Sequence, residues 1–164
     1  MKYLIFALII PALILTSCTK ENITINEDSE TSVYNRAMIT GKWNVEEITT
    51  KLFNGQQLVS NESELFGEGN NGLKSEIIYQ SNGDFAKYQF EATAPSPETY
   101  YGGCDYYNIK ENMLYMSTFG GYNGYINELN EKTLSFTMVQ VDGNNQLHKV
   151  YRLNRSTDVF SVTH

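Results

Sequence analysis

Cysteine, histidine and proline are scarce in this chain: two, two and three among 164 residues. Once Cys18 is accounted for below, Cys104 has no cysteine left to pair with, so no intrachain disulfide is expected. His148 and His164 stand at metal-ligand spacing neither from Cys104 nor from a carboxylate pair, so no metal site and no cofactor is expected. Basic residues number 12 against 19 acidic ones, a balance that argues against gripping a nucleic-acid backbone or docking on anionic headgroups. Helical periodicity is missing as well. No segment of ten or more residues after Leu52 repeats at 3.6, so no glycine loop cradles a phosphate ahead of a helix. Glu46 and Glu47 are adjacent and would face opposite sides of a regular strand, which makes a poor acid/base pair. Asp105 sets an anion beside Cys104, where a reactive thiol would need a cation. These absences together predict a protein that is not an enzyme.

The long apolar run is residues 3–15, YLIFALIIPALIL, behind the single basic residue Lys2. It is too short for a bilayer core, which takes about 20 helical residues, and it fits a cleaved export signal. The following Leu15-Thr16-Ser17-Cys18 resembles the lipobox of bacterial lipoproteins. That resemblance implies a signal peptide over residues 1–17 and a Cys18 carrying acyl chains such as palmitate. Such chains stabilise attachment by ~0.8 kcal/mol per buried CH₂, so a lipid anchor at the outer membrane is expected, on either of its faces. Residues 18–36 are acidic and poor in apolar side chains and read as a flexible tether. Thr31 or Ser32 is the expected cap of one short helix ending at Ile39. The chain after residue 17 carries 11 basic and 19 acidic residues, a charge of −8. Its length suits one domain, assigned to residues 37–155 with a tail over 156–164 and expected to be a monomer.

Within residues 39–52, ITGKWNVEEITTKL, Trp43 and Val45 alternate with polar neighbours, and then the phase slips so that Ile48, Thr50 and Leu52 take the apolar side. That predicts a long strand with a bulge at Glu46–Glu47, bent so that it sets where a curling sheet has its seam. Asn54-Gly55 suits a tight hairpin, after which residues 56–59 return briefly. The polar, glycine-rich residues 60–72 read as a loop, either a lid over a barrel mouth or a disordered crossing. From Leu73 on, strand-like segments alternate with turn residues: 73–80, 84–91, 100–110, 113–117, 125–128, 134–138 and 146–154. In 84–91, Phe85 disagrees in parity with Tyr88 and Phe90, so either a bulge intervenes or both faces are covered. The expected fold is all-β, an eight-stranded antiparallel meander closing into a barrel, with a short N-terminal helix.

Gly41-Lys42-Trp43 at the start of the first strand resembles the G-x-W signature of lipocalins, and the order of elements is similar to the lipocalin-like domain of Bacteroidota lipoproteins. The resemblance spans residues 38–155 and includes the segment Ile77 to Phe85 with its Ser81-Asn82-Gly83 turn and the terminal hairpin 134–153. It implies an arginine lying across Trp43, with Arg152 the first choice and Arg155 the other candidate, both structural.

Twelve tyrosines and eight phenylalanines stand against one tryptophan. Aromatics fill β-rich cores, and they also line cavities or bind sugar rings. One expectation is a small apolar or amphipathic ligand inside the barrel, lined by Ile77, Tyr79, Tyr88, Phe90, Tyr115, Phe136 and Met138. The alternative is a surface module that binds a glycan or a protein partner through Tyr100, Tyr101 and Tyr122. No nucleic-acid partner is expected.

Overall fold

A computed structural model of the chain describes residues 29–95, 105–117 and 122–157. Helix α1 (Glu30–Ile39) leads into β1 (Gly41–Asn54), β2 (Gln57–Leu65), β3 (Leu73–Tyr79) and β4 (Phe85–Glu91). Then follow β5 (Tyr107–Lys110), β6 (Met113–Met116), β7 (Tyr122–Leu129), β8 (Thr133–Asp142) and β9 (Asn145–Arg155). All are antiparallel members of one sheet ordered β4-β3-β1-β9-β8-β7-β6-β5, with β2 paired to β1 off that path. The sheet curls into a half-barrel.

The strand β1 pairs with β3 along its first residues, with β2 along its later ones, and with β9 along most of its length. Its pairing with β9 shifts between Val45 and Glu47, so Glu46 is an extra residue at the position where the apolar phase slips. Trp43 and Val45 point inward before the bulge, and beyond it Ile48, Thr50 and Leu52 share the inner face with Tyr151, Lys149 and Leu147. The carbonyl of Glu46 accepts from the Phe66 amide at 2.9 Å, and Phe66 is buried in the core. A bulge leaves a backbone group outside the ladder, and here a neighbouring loop supplies the partner.

Three expectations are corrected by the chain's own pairing. The first and last strands meet in mid-sheet: β1 lies against β9 from Trp43 to Asn54, so the seam falls between β4 and β5. There the described residues join through one isolated bridge, Asp84 with Tyr106, and the Tyr107 amide donates to Gly83 O at 2.7 Å. Residues 60–65, expected as part of a lid or a crossing, instead continue the strand that begins at Gln57, although they show no alternation. As an edge strand exposed on nearly every residue, β2 has no buried face to impose a period of two. Finally, the folded unit begins before residue 37. Ser29 caps α1 by accepting from the Ser32 amide at 3.2 Å, two residues ahead of Thr31 and three ahead of Ser32, the expected caps. Ser32 and Asn35 are themselves buried. Ser32 Oγ accepts from the Glu111 amide at 2.7 Å, and Asn35 Nδ2 donates to Glu111 O at 2.8 Å.

Candidate functional site

The end of the half-barrel next to α1 is filled. Ile39, Trp43, Ile109, Leu114, Leu134 and Leu153 are each 1% exposed or less. Trp43 Nε1 donates to Ile39 O at 2.7 Å, tying the indole to the last turn of α1. Over the ring lies Arg155, its guanidinium carbon 4.2 Å from the ring centroid. The same guanidinium donates to Thr40 O at 2.9 Å, to Met38 O and, through Nε, to Glu131 O at 2.9 Å. Cations are favourable at a helix C-terminus, where carbonyls lack intrahelical partners. Gly41 sits at φ +133°, and a Cβ there would come within 2.7 Å of Arg155 Nη1. Glycine at this position therefore has two causes, a backbone angle that L side chains rarely adopt and the space the guanidinium occupies.

Arg152, the first choice for this role, is not the residue over the tryptophan. Side chains alternate along β9, and Leu153 is buried on the inner face, so Arg155 shares that side and Arg152 takes the other. Arg152 Nη1 instead reaches Glu47 Oε2 at 2.9 Å on the exposed surface.

Beyond the filled end, a cavity of about 240 Å³ opens within the curl of the sheet. Its walls include Ile77 of β3, Phe85 of β4, Met116 of β6, Phe136 and Met138 of β8, and Tyr151 of β9. Phe136 is fully buried, and Ile77, Phe85, Met138 and Met116 are nearly so. Phe136 and Tyr151 stack with ring centroids 4.7 Å apart. Lys87, Gln140, Leu147 and Lys149 complete the lining, and of these Lys87, Gln140 and Lys149 are exposed, which places them at the mouth. Met138 needs Gly124 beside it: a Cβ on Gly124 would lie 2.7 Å from Met138 Sδ and 2.6 Å from Thr137 O.

Of the seven lining residues expected from sequence, Ile77, Phe136 and Met138 border the cavity. Tyr79 points inward but lies outside the lining, 1% exposed, with its hydroxyl donating to Met116 Sδ at 3.7 Å. Burial pushes its pKa above the ordinary tyrosine range, so it is a neutral core phenol. Its ring meets Tyr107 edge-on at 4.9 Å. Tyr88 and Phe90 face the other way, because β3 and β4 pair in unbroken register and Phe85 and Lys87 already hold the inner positions. Their half-burial answers the parity conflict: no bulge intervenes, and both faces of β4 are partly covered. Tyr115 is excluded likewise, lying between Leu114 and Met116, which both point inward.

Sequence reading missed Phe85, Lys87, Met116, Gln140, Leu147, Lys149 and Tyr151. A signal was present for several. Leu147, Lys149 and Tyr151 share parity with Leu153, and Lys87 shares it with Phe85. The two lysines are hidden from such a count because a charged residue at an inward position breaks the apolar alternation.

Cys18, Cys104, His164, Tyr100 and Tyr101 lie outside the described residues, as does the side chain of Tyr122. His148 is half-buried, with its ring 4.9 Å from that of Phe53. Among the described residues, no group of three or more His, Cys, Asp or Glu side chains is placed to hold a metal ion. Compared with known proteins, the chain matches no family model and no curated protein.

Proposed function

We propose that this is a non-enzymatic, lipocalin-like binding lipoprotein that holds a small apolar or amphipathic molecule in its barrel. Cys18 carries the acyl anchor that keeps it at the outer membrane. One observation carries the reading: the cavity of about 240 Å³, walled by Phe136, Ile77, Phe85, Met116 and Met138. An eight-stranded barrel has an interior either packed with side chains or wide enough for one small ligand. Here the two conditions occupy opposite ends, because the Trp43 plug takes up one end and leaves the other hollow. Support for the lipocalin-like part comes from the Gly41, Trp43 and Arg155 cluster at the start of β1 and the pairing of β1 with β9. The volume lies just under the range of about 300–1,000 Å³ common for drug-sized ligands, so a small or single-chain guest is the better fit.

The test is native mass spectrometry of the purified chain together with titration by a neutral environment-sensitive dye. The expected result is a retained small molecule or one dye bound per chain, with dye binding abolished by Met138→Trp, which fills the space. A chain that takes up neither dye nor small molecule has no usable cavity, and the reading would be abandoned.

A further inference from the structure

The two lysines at the cavity mouth come from strands far apart in sequence, Lys87 from β4 and Lys149 from β9. Among the described residues neither forms an ion pair. Lys87 Nζ stands 5.5 Å from the centroid of the Tyr151 ring, so its ammonium leans over the aromatic wall of the cavity. Desolvation, and then the charge of Lys149, lower the pKa of Lys87, with Glu64 acting in the opposite direction. Glu64 lies across β1 from Tyr151, both being paired to Ile48, and one of its oxygens accepts from Asn71 Nδ2 at 3.0 Å. Two ammonium groups thus converge on one apolar hollow, in a chain whose net charge is −7. Like charges brought together at a partly desolvated site are unfavourable until an anion joins them.

We propose that the cavity takes a single-chain amphiphile with an anionic head, the head held at the mouth by Lys87 and Lys149 and the chain lying against Phe136 and Met138. The inference rests on the binding role proposed above and adds the class of ligand. At roughly 30 Å³ per methylene-sized group, the space accepts a chain of roughly eight carbons, which points to medium-chain acids or their phosphate analogues. Lysine ammonium groups act as compact charges and suit either head, whereas a bidentate carboxylate site would call for arginine.

The experiment measures displacement of neutral N-phenyl-1-naphthylamine from the full chain in a non-ionic amphipol, with empty amphipol as the blank. The competitors are decanoate, decyl phosphate, decanol and decyltrimethylammonium. Decanoate or decyl phosphate is expected to bind about ten- to a hundredfold more tightly than decanol, the range of a charge-assisted hydrogen bond, with the cation weakest. Whichever anion binds more tightly identifies the head as carboxylate or phosphate. Lys87→Gln and Lys149→Gln should each shrink the ratio of anion to decanol affinity, while Lys74→Gln, on the opposite face of β3, should not change it. Dye binding in every variant reports that the cavity is intact. Equal affinity for decanoate, decyl phosphate and decanol, or a ratio insensitive to both lysine substitutions, would overturn the anionic head and leave the binding role standing. Hexadecanoate binding more tightly than decanoate would overturn the chain length. If the dye itself does not bind, the cavity reading fails and this inference fails with it.

Discussion

The two ends of the half-barrel are built from the same strands and differ in what fills them. At the α1 end, Trp43, Leu134, Leu153 and Ile39 are packed to 1% exposure or less, and Arg155 binds the helix terminus, the indole and the Glu131 carbonyl together. At the other end the same β8 and β9 continue as Met138, Gln140, Leu147 and Lys149, which border open space. The bulge at Glu46 divides the two, since it carries β1 from one inward set to the next. Rigidity and capacity are thus separated along a single strand. The packed end supplies the stability that lets the other end remain hollow, because a cavity forgoes the contacts that filling it would make.

Deleting Glu46 breaks this division most severely. Every inward residue of β1 beyond the bulge would turn outward, and a loss of more than about 4 kcal/mol is expected, read from urea midpoints or as outright failure to fold. Next come the large side chains. Trp43→Ala is expected to cost about 3–5 kcal/mol, and the volume-conserving Met138→Leu at the hollow end less than about 1.5 kcal/mol. Similar losses at both sites would mean that the ends are not energetically distinct. Gly41→Ala should cost about 1–3 kcal/mol, from strain at a positive φ and the displacement of Arg155. Arg155→Ala should destabilise by about 2 kcal/mol, from the indole contact together with the helix carbonyls left without their donor, and Arg152→Ala by less than about 1 kcal/mol as an exposed pair. If Arg152 proves the costlier, Arg155 does not hold the closed end.

The smallest effect is a matter of pH. A hydrogen bond from Ser63 is the largest influence on the Glu47 carboxyl; burial opposes it, and the hydrogen bond from Thr49 and the contact with Arg152 add to it, so the carboxyl is held below its ordinary value of 4.5. The folded state therefore favours the ionised form, and this contribution is complete above about pH 4.5 and disappears as pH falls through the lowered value. Glu47→Gln should lose stability near neutrality and converge with the parent chain in acid, in parallel denaturation curves.

Much of the strand pattern is legible in the sequence. The bulge showed as a phase slip between Val45 and Ile48, and the Asn54-Gly55 and Asp142–Asn145 turns bound their hairpins as their residues imply. The strand β2 was illegible because both its faces meet solvent, so no residue is selected for either side. The cavity was legible in part. Phe136 and Met138 sit in the cleanest alternation in the chain, whereas choosing Tyr88 and Phe90 over Phe85 required knowing that β4 runs without a bulge beside β3.

Local chemistry by itself determined the strands other than β2, the turns between them, the kink in β1 and the glycine ahead of Trp43, because each depends on residues within a few positions of one another. The folded sheet alone decided that β1 and β9 lie side by side, that the seam falls between β4 and β5, and that Arg155 covers the indole. It alone brought Lys87 and Lys149 to one mouth. Those outcomes depend on which strands pair and in what register, and register is a property of two distant segments at once, which no periodicity within either one contains.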